Sequence, residues 1–315
     1  MREEFYFSAS DGKKLHCVKW VGSFNPKAVV QISHGMMEYI ERYDEVASFL
    51  LENGYFVVGH SHRGHGKTSE SVEMVGITEK TDTFNRMVLD LREITDFIKK
   101  EFRLPVILFG HSFGSFLSQA YIETYGSNID GVILSGTTGK MGLKAYSGLI
   151  LSYLLKIIFG GRHKSKLLNF LTFAPYNSGF KPNRTKVDWL SSDEVEVDKY
   201  LDDPYCGRIC SLNFFFNIFK GLITIHRKKR LSLIPKNLRV LIIAGSRDPV
   251  GDNLKTISWL SEEYVKRGIS SIKVNIYENF RHECLHETGR ERVFKDIVNW
   301  LDYEVIFKGK DKPFS

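Results

Sequence analysis

Pro105-Val-Ile-Leu-Phe109 is an apolar run short enough to be a buried strand, and Phe116-Leu-Ser-Gln-Ala-Tyr-Ile-Glu-Thr-Tyr125 reads as a helix. Between them lies Gly110-His-Ser-Phe-Gly114. A strand that turns into a helix through G-x-S-x-G is the context of a nucleophile elbow. The turn leaves no space for side chains at its flanks, which accounts for glycine at 110 and 114. It lifts Ser112 above the sheet. The helix that follows aims its N-terminus at the place where negative charge would develop. The plainer reading is a Gly/Ser turn between two elements.

The rest of the chain supplies a frame for that turn. Residues 4–8 and 14–21 read as strands joined at Asp11-Gly12, a hairpin signal. Ala28–Ser33, Tyr55–Val58, Gly131–Ser135, Leu238–Ala244 and Ser271–Tyr277 are further strand-like runs. Helical patterns lie at Tyr43–Asn53, Phe84–Phe102, around 254–267 and at Glu287–Tyr303. Strands alternating with helices predict an α/β fold, a mostly parallel eight-stranded sheet with helices on both faces. The rhythm stops between about 139 and 233, which reads as a helical insertion over one edge. The expected organisation is a core of residues 1–138 and 234–307, a cap (lid) at 139–233, and a loose polar tail at 308–315.

Composition excludes several classes. An apolar share of 43% suits a full core. The net charge of +7 is dispersed and reads as a solvated basic surface with a mild bias towards anionic surfaces; no nucleic-acid motif is present. Cys17, Cys206, Cys210 and Cys284 form no CxxC pair, so free thiols in a reducing compartment are expected. The first residues, Met-Arg-Glu-Glu-Phe-Tyr-Phe, carry acids where a signal peptide needs apolar side chains, and no apolar run reaches the ~20 residues of a spanning helix. A cytoplasmic location is the expectation.

A serine hydroxyl needs a base, and the base needs an acid to fix its tautomer. For this elbow the chain order is Ser, then Asp or Glu, then His. Asp248 and His282 each follow a strand, where a doubly wound sheet gathers its site residues. Asp252 and His286 are their rivals, further from the strands. Asp248 also suits a turn before Pro249, and His282 a surface loop. Backbone amides of Phe113 and of Met36, in the loop after the third strand, are the candidate oxyanion donors.

His34-Gly-Met-Met-Glu-Tyr-Ile-Glu-Arg-Tyr43, His60-Ser-His-Arg-Gly-His-Gly66, Gly110-His-Ser-Phe-Gly114, Gly245-Ser-Arg-Asp-Pro-Val-Gly251 and Arg281-His-Glu283 follow one another in a recognisable order. From residue 5 to about 303 the chain resembles the monoglyceride lipase and lysophospholipase branch of the α/β-hydrolase superfamily, which shares its domain with serine aminopeptidase-type hydrolases. The resemblance implies ester hydrolysis through an acyl-enzyme, without cofactor or metal. Met36-Met37 replaces a smaller pair, which would narrow the acyl entrance. Ser61 stands where relatives often have Asp.

The insertion bears on the substrate. Gly148–Gly160 is strongly apolar but too short to span a bilayer, and Arg162, His163, Lys164 and Lys166 follow it. Asn213–Ile223 is a second greasy stretch, followed by His226-Arg-Lys-Lys-Arg230. A lid with an apolar underside would take an acyl chain, and its basic flank could rest on anionic lipid; two ordinary packed helices are the simpler alternative. The expected activity is hydrolysis of monoacyl lipid esters, with small esters, peptides or thioesters as alternatives.

Two patterns point elsewhere. His282-Glu-Cys-Leu-His286 spells H-E-x-x-H, a zinc-protease signature that needs all five residues on one helix. Gly64-His-Gly-Lys-Thr68 suggests a phosphate loop but has Ser61 where glycine is required. His60, His62 and His65 could bind metal, but a loop rim beside the site is the expected role. A silent binding protein on this fold is the remaining class.

Overall fold

The computed structural model describes residues 1–78 and 82–308. The expected tail beyond Lys308 lies outside the described residues.

Eight strands form one sheet: β1 (Arg2–Ser8), β2 (Lys14–Trp20), β3 (Ala28–Ser33), β4 (Tyr55–His60), β5 (Val106–His111), β6 (Gly131–Ser135), β7 (Arg239–Gly245) and β8 (Ser271–Tyr277). Their spatial order is β1-β2-β4-β3-β5-β6-β7-β8. β1 and β2 form the antiparallel hairpin expected at Asp11-Gly12, and β2 pairs antiparallel with β4. From β4 to β8 every pairing is parallel. Strands β3 to β6 are Val- and Ile-rich and buried along their whole length. That is the pattern of strands covered on both faces.

The covering helices make two apolar layers. On one face α1 (Asp44–Glu52) brings Val46, Ala47 and Leu50, and α10 (Glu291–Trp300) brings Val293, Phe294 and Ile297. On the other lie α2 (Thr83–Phe102), α3 (Phe113–Tyr125) and α9 (Lys255–Lys266), with Leu91, Leu117 and Leu260 among the buried contacts. The segment between β6 and β7 carries α4 (Leu143–Phe159), α5 (Lys166–Asn177), α6 (Glu194–Asp202), α7 (Leu212–Ile225) and the short α8 (Lys228–Leu231). No helix among the described residues is long and apolar enough to cross a membrane.

Three boundaries near the site differ from the sequence reading. β5 runs on through Gly110-His111, and α3 begins at Phe113 rather than 116, so the turn is a single residue, Ser112. The last helix starts at Glu291, not 287, because Glu287 is used otherwise: its carboxylate accepts the Arg281 N–H (2.7 Å) and the Ser192 N–H (3.0 Å). The helix then widens into a π turn over Leu301–Phe307.

The sheet's centre and its edge should differ in tolerance. Leu108, fully buried in β5, leaves a cavity when cut to alanine, at a cost of about 2–5 kcal/mol. Val274, on the edge strand and 37% exposed, should lose only about 0.5 kcal/mol. Urea denaturation midpoints of the two variants check the contrast.

Candidate active site

Ser112 has φ 49° and ψ −119°, a conformation that side chains other than glycine rarely adopt. Its neighbours make room for it. A Cβ on Gly114 would overlap the carbonyl oxygens of Ser33 and His34, and one on Gly110 would overlap Ser118 Oγ and the Gly114 carbonyl. The Ser112 N–H donates to the Ser135 carbonyl (2.8 Å), which ties the turn to the end of β6.

The loops after β7 and β8 run together. Ser246 N–H donates to Tyr277 O and Arg247 N–H to Phe280 O, each at 2.9 Å. This pairing puts Asp248 beside His282. His282 Nδ1–H donates to Asp248 Oδ2 (2.9 Å) and Oδ1 (3.0 Å), and Ser112 Oγ–H donates to His282 Nε2 (2.8 Å). The chain therefore brings Ser112, His282 and Asp248 into one line of hydrogen bonds. The imidazole lies between the rings of His111 and Trp189, each 5.0 Å away between centroids. Burial alone would lower the His282 pKa, but Asp248 in particular, with Glu283 and Glu38 beyond it, raises it above the ordinary value.

The residues that carry the two candidate amides line the same cavity. Phe113 opens α3, so its N–H belongs to the first turn and has no partner within the helix. His34 Nδ1–H donates to the Gly35 carbonyl (2.7 Å). In a planar trans peptide the following N–H, that of Met36, then points the opposite way. Gly35, Met36, Ser112, Phe113 and His282 all line one cavity of about 910 Å³. Its walls are mainly apolar: Phe116, Phe173, Trp189, Phe215, Phe219, Leu222 and Val250. Asn169, Asn183, Thr185 and Arg208 add polar lining. Both Met36 and Met37 lie on it.

The rivals sit elsewhere. Asp252 faces Lys144 at 3.8 Å on the surface, and His286 Nε2 donates to the Arg42 carbonyl (3.2 Å). The H-E-x-x-H pattern does not form one helix, since only Cys284–His286 make a 3-10 turn. His282 holds Ser112 and Asp248, while the Glu283 carboxylate holds Arg42. The two histidines thus serve different partners. Lys67, of the phosphate-loop-like stretch, places its ammonium 2.7 Å from Glu4 and 3.0 Å from Glu41. That ammonium neutralises a group, Glu4, His16 and Glu41, whose side chains would otherwise suit a cation.

The histidines at 60, 62 and 65 correct the loop-rim expectation. All three are fully buried. His60 ends β4, and the loop after it packs against the end of β3. The His62 N–H donates to His34 Nε2 (2.8 Å), and His62 Nε2 bonds Ser33 Oγ (3.1 Å). Burial pushes His60 and His65 down to about 4, so they are neutral packing groups near pH 7. Trp189, Glu38 and Arg42 are site neighbours that motif reading left without a role. Glu38 and Arg42, four residues apart, carried a faint i,i+4 signal.

With this geometry in view, comparison with known proteins places the chain. The family model described as serine aminopeptidase, S33, matches residues 24–289. The chain belongs to this family. It is 27% identical to the monoglyceride lipase of Mus musculus over 315 residues, covering 96% of this chain and 92% of that one. Against the monoglyceride lipase of Homo sapiens it is 29% identical over 309 residues, with the same coverage. The structure of a thermostable carboxyl esterase from Bacillus coagulans superposes with a TM-score of 0.89 at 24% identity, over 97% of this chain and 99% of that one. The fold is the α/β-hydrolase fold.

One property follows from the buried His–Asp contact. Asp248 favours the imidazolium and burial disfavours it, so His282 should titrate above the ~6.5 of a free histidine. In Asp248→Asn the largest influence that raises it is gone and burial is opposed only by the more distant Glu283 and Glu38, so the pKa should fall relative to the wild type. An ¹⁵N-histidine NMR titration of both proteins checks the sign.

Proposed function

We propose that this protein is a cytoplasmic serine hydrolase of monoacyl lipid esters, monoacylglycerols or lysophospholipids. Ser112 Oγ attacks the ester carbonyl while His282 Nε2 takes its proton. The carbonyl oxygen becomes an oxyanion held by the Met36 and Phe113 amides. The C–O bond to the head group breaks, His282 returns the proton to the leaving alcohol, and an acyl-enzyme remains. Water, deprotonated by the same imidazole, then releases the fatty acid. Asp248 keeps His282 in the tautomer with Nε2 free to accept.

The observation that carries the reading is the hydrogen-bonded line Ser112–His282–Asp248 opening onto a cavity walled by Phe and Leu side chains. A substrate with a long apolar arm suits that lining. The family's description as aminopeptidases suggests peptide substrates, but a free amino terminus wants an uncommitted acid. The two acids bordering the cavity, Glu38 and Glu283, both hold Arg42.

Residues 139–233 are, in this reading, a cap over a core of 1–138 and 234–307. The outer face of α4 supports a further role for it. Leu143, Tyr146, Ile150, Leu154 and Ile157 recur at helical spacing and are half or more exposed, joined by Leu167, Phe170 and Leu171 of α5. Such a stripe, with Arg162, Lys164 and Lys166 beside it in sequence, suits peripheral contact with an anionic lipid surface.

Replacing Ser112 by alanine should lower kcat by about 10⁶-fold and abolish labelling by a fluorophosphonate probe; retained turnover would contradict the mechanism. Across p-nitrophenyl esters, kcat/KM should rise by up to about fourfold per added methylene until the cavity is full. A preference for acetate would favour a small-ester carboxylesterase. Ile150→Asp with Ile157→Asp should reduce flotation with vesicles containing phosphatidylglycerol and leave hydrolysis of a soluble short ester unchanged.

A further inference from the structure

Beneath the Met36 loop lies a buried bridge of three charged groups. Arg42 Nη1 donates to Glu38 Oε2 at 2.6 Å and to Glu283 Oε1 at 2.9 Å. Its Nη2 donates to Glu283 Oε2 at 2.9 Å, so the guanidinium grips Glu283 with both arms. The side chains of Glu38, Arg42 and Glu283 are only 2%, 10% and 6% exposed.

Each end of the bridge touches a different half of the reacting site. Glu38 Oε1 accepts the Tyr43 hydroxyl (2.8 Å) and the Gly35 N–H. The Gly35 carbonyl is held by His34, so the residue that precedes the Met36 amide is tied through its N–H and its C=O. A Cβ on residue 35 would meet Glu38 Oε1 at 2.6 Å, so only glycine lets the carboxylate in. At the other end Glu283 directly follows His282, and its own N–H donates to Leu190 O (2.7 Å).

Stability is a poor explanation for such an arrangement. Taking three charges out of water costs about as much as their attraction returns, and an apolar trio would often do as well. What apolar side chains cannot do is accept a peptide N–H at a fixed place.

We infer that Glu38, Arg42 and Glu283 act together as positioning residues, locking the Gly35–Met36 peptide in the orientation that presents the Met36 N–H to the oxyanion and setting it in register with His282. The inference rests on the serine-hydrolase reading. With Glu38 absent, the peptide can turn its amide away from the site, and the loss falls on the step in which the oxyanion forms.

The test uses kcat per serine titrated to completion with a fluorophosphonate, KM, and inhibition by an alkyl trifluoromethyl ketone. Ser112 Oγ adds to that ketone, its proton passes to His282, and the former carbonyl oxygen becomes a stable oxyanion in the same place. In Glu38→Ala, kcat per titrated serine should fall by about 10²–10³-fold, the ketone's Ki should rise in step, and KM should stay within about threefold. Glu38→Gln, which keeps an oxygen for the Gly35 N–H, should recover at least about tenfold of that loss, and Arg42→Lys, which keeps the charge but not the fork, should lose about tenfold in kcat and Ki alike. Should Glu38→Ala not fold, Arg42→Lys decides. The inference is overturned if the folded variants match the wild type per titrated serine in kcat and Ki, whatever their melting temperatures, or if KM alone rises. A failure of the hydrolase reading is separate and visible first: the wild-type Ser112 would not take the probe.

Discussion

The carbonyl oxygens of Ser33 and His34 occupy the space where a side chain on residue 114 would begin. This close approach of the end of β3 to the first turn of α3 determines most of what is found at the site. It requires glycine at 114, and it brings the loop 34–38 alongside Ser112. Ser33 adds a hydroxyl that donates to the Gly114 carbonyl at 3.3 Å. A residue held at φ 49° is strained, and the strain persists because the strands and helix on both sides leave it no alternative. The same packing that forces the backbone turn therefore brings Met36, Phe113 and Ser112, from elements far apart in sequence, onto one cavity.

The imidazole is held by a second set of contacts, and these come from the segment between β6 and β7 as much as from the sheet. The His282 N–H donates to Trp189 O (3.3 Å), and the Trp189 ring covers the imidazole. Ser191 Oγ donates to His286 O (2.8 Å), and Arg281 Nη1 donates to Ser191 O (3.0 Å). The stretch 188–192 is thus stitched to the loop that carries the base. The base is therefore held by residues of this segment as well as by the loops at the strand ends.

How much of this was legible in the residues depended on the range of the interactions. The parallel strands were, because burial on both faces writes itself into apolar runs such as Ala28-Val-Val-Gln-Ile-Ser33 without reference to distant partners. The meeting of Ser112, Asp248 and His282 was legible from chain order and from the rule that strand ends gather site residues. The start of α10 was not, because Glu287 is taken out of the helix by Arg281 and Ser192, and the latter lies 95 positions away. His60, His62 and His65 read as a polar loop and are buried, because His62 bonds Ser33 and His34, His65 stacks on Phe113, and His60 packs edge-on against His62. The H-E-x-x-H spelling misled for the same reason. A local pattern promises one helix, and Asp248 and Arg42, both remote in sequence, claim its first two members instead.

Helix α4 shows a last link between packing and substrate. It is apolar nearly all round, a composition that ordinarily marks a helix buried on every side. One face is satisfied within the chain: Gly148 lies so close to the Phe219 ring of α7 that a Cβ would meet it at 2.6 Å. The opposite face, from Leu143 to Ile157, is turned to solvent. Leaving so much apolar area in water forgoes about 25 cal/mol for each Å², and a helix needed only as a roof could have carried polar residues there at no loss of packing. That exposed apolar face is the feature on which the proposed contact with a lipid surface rests.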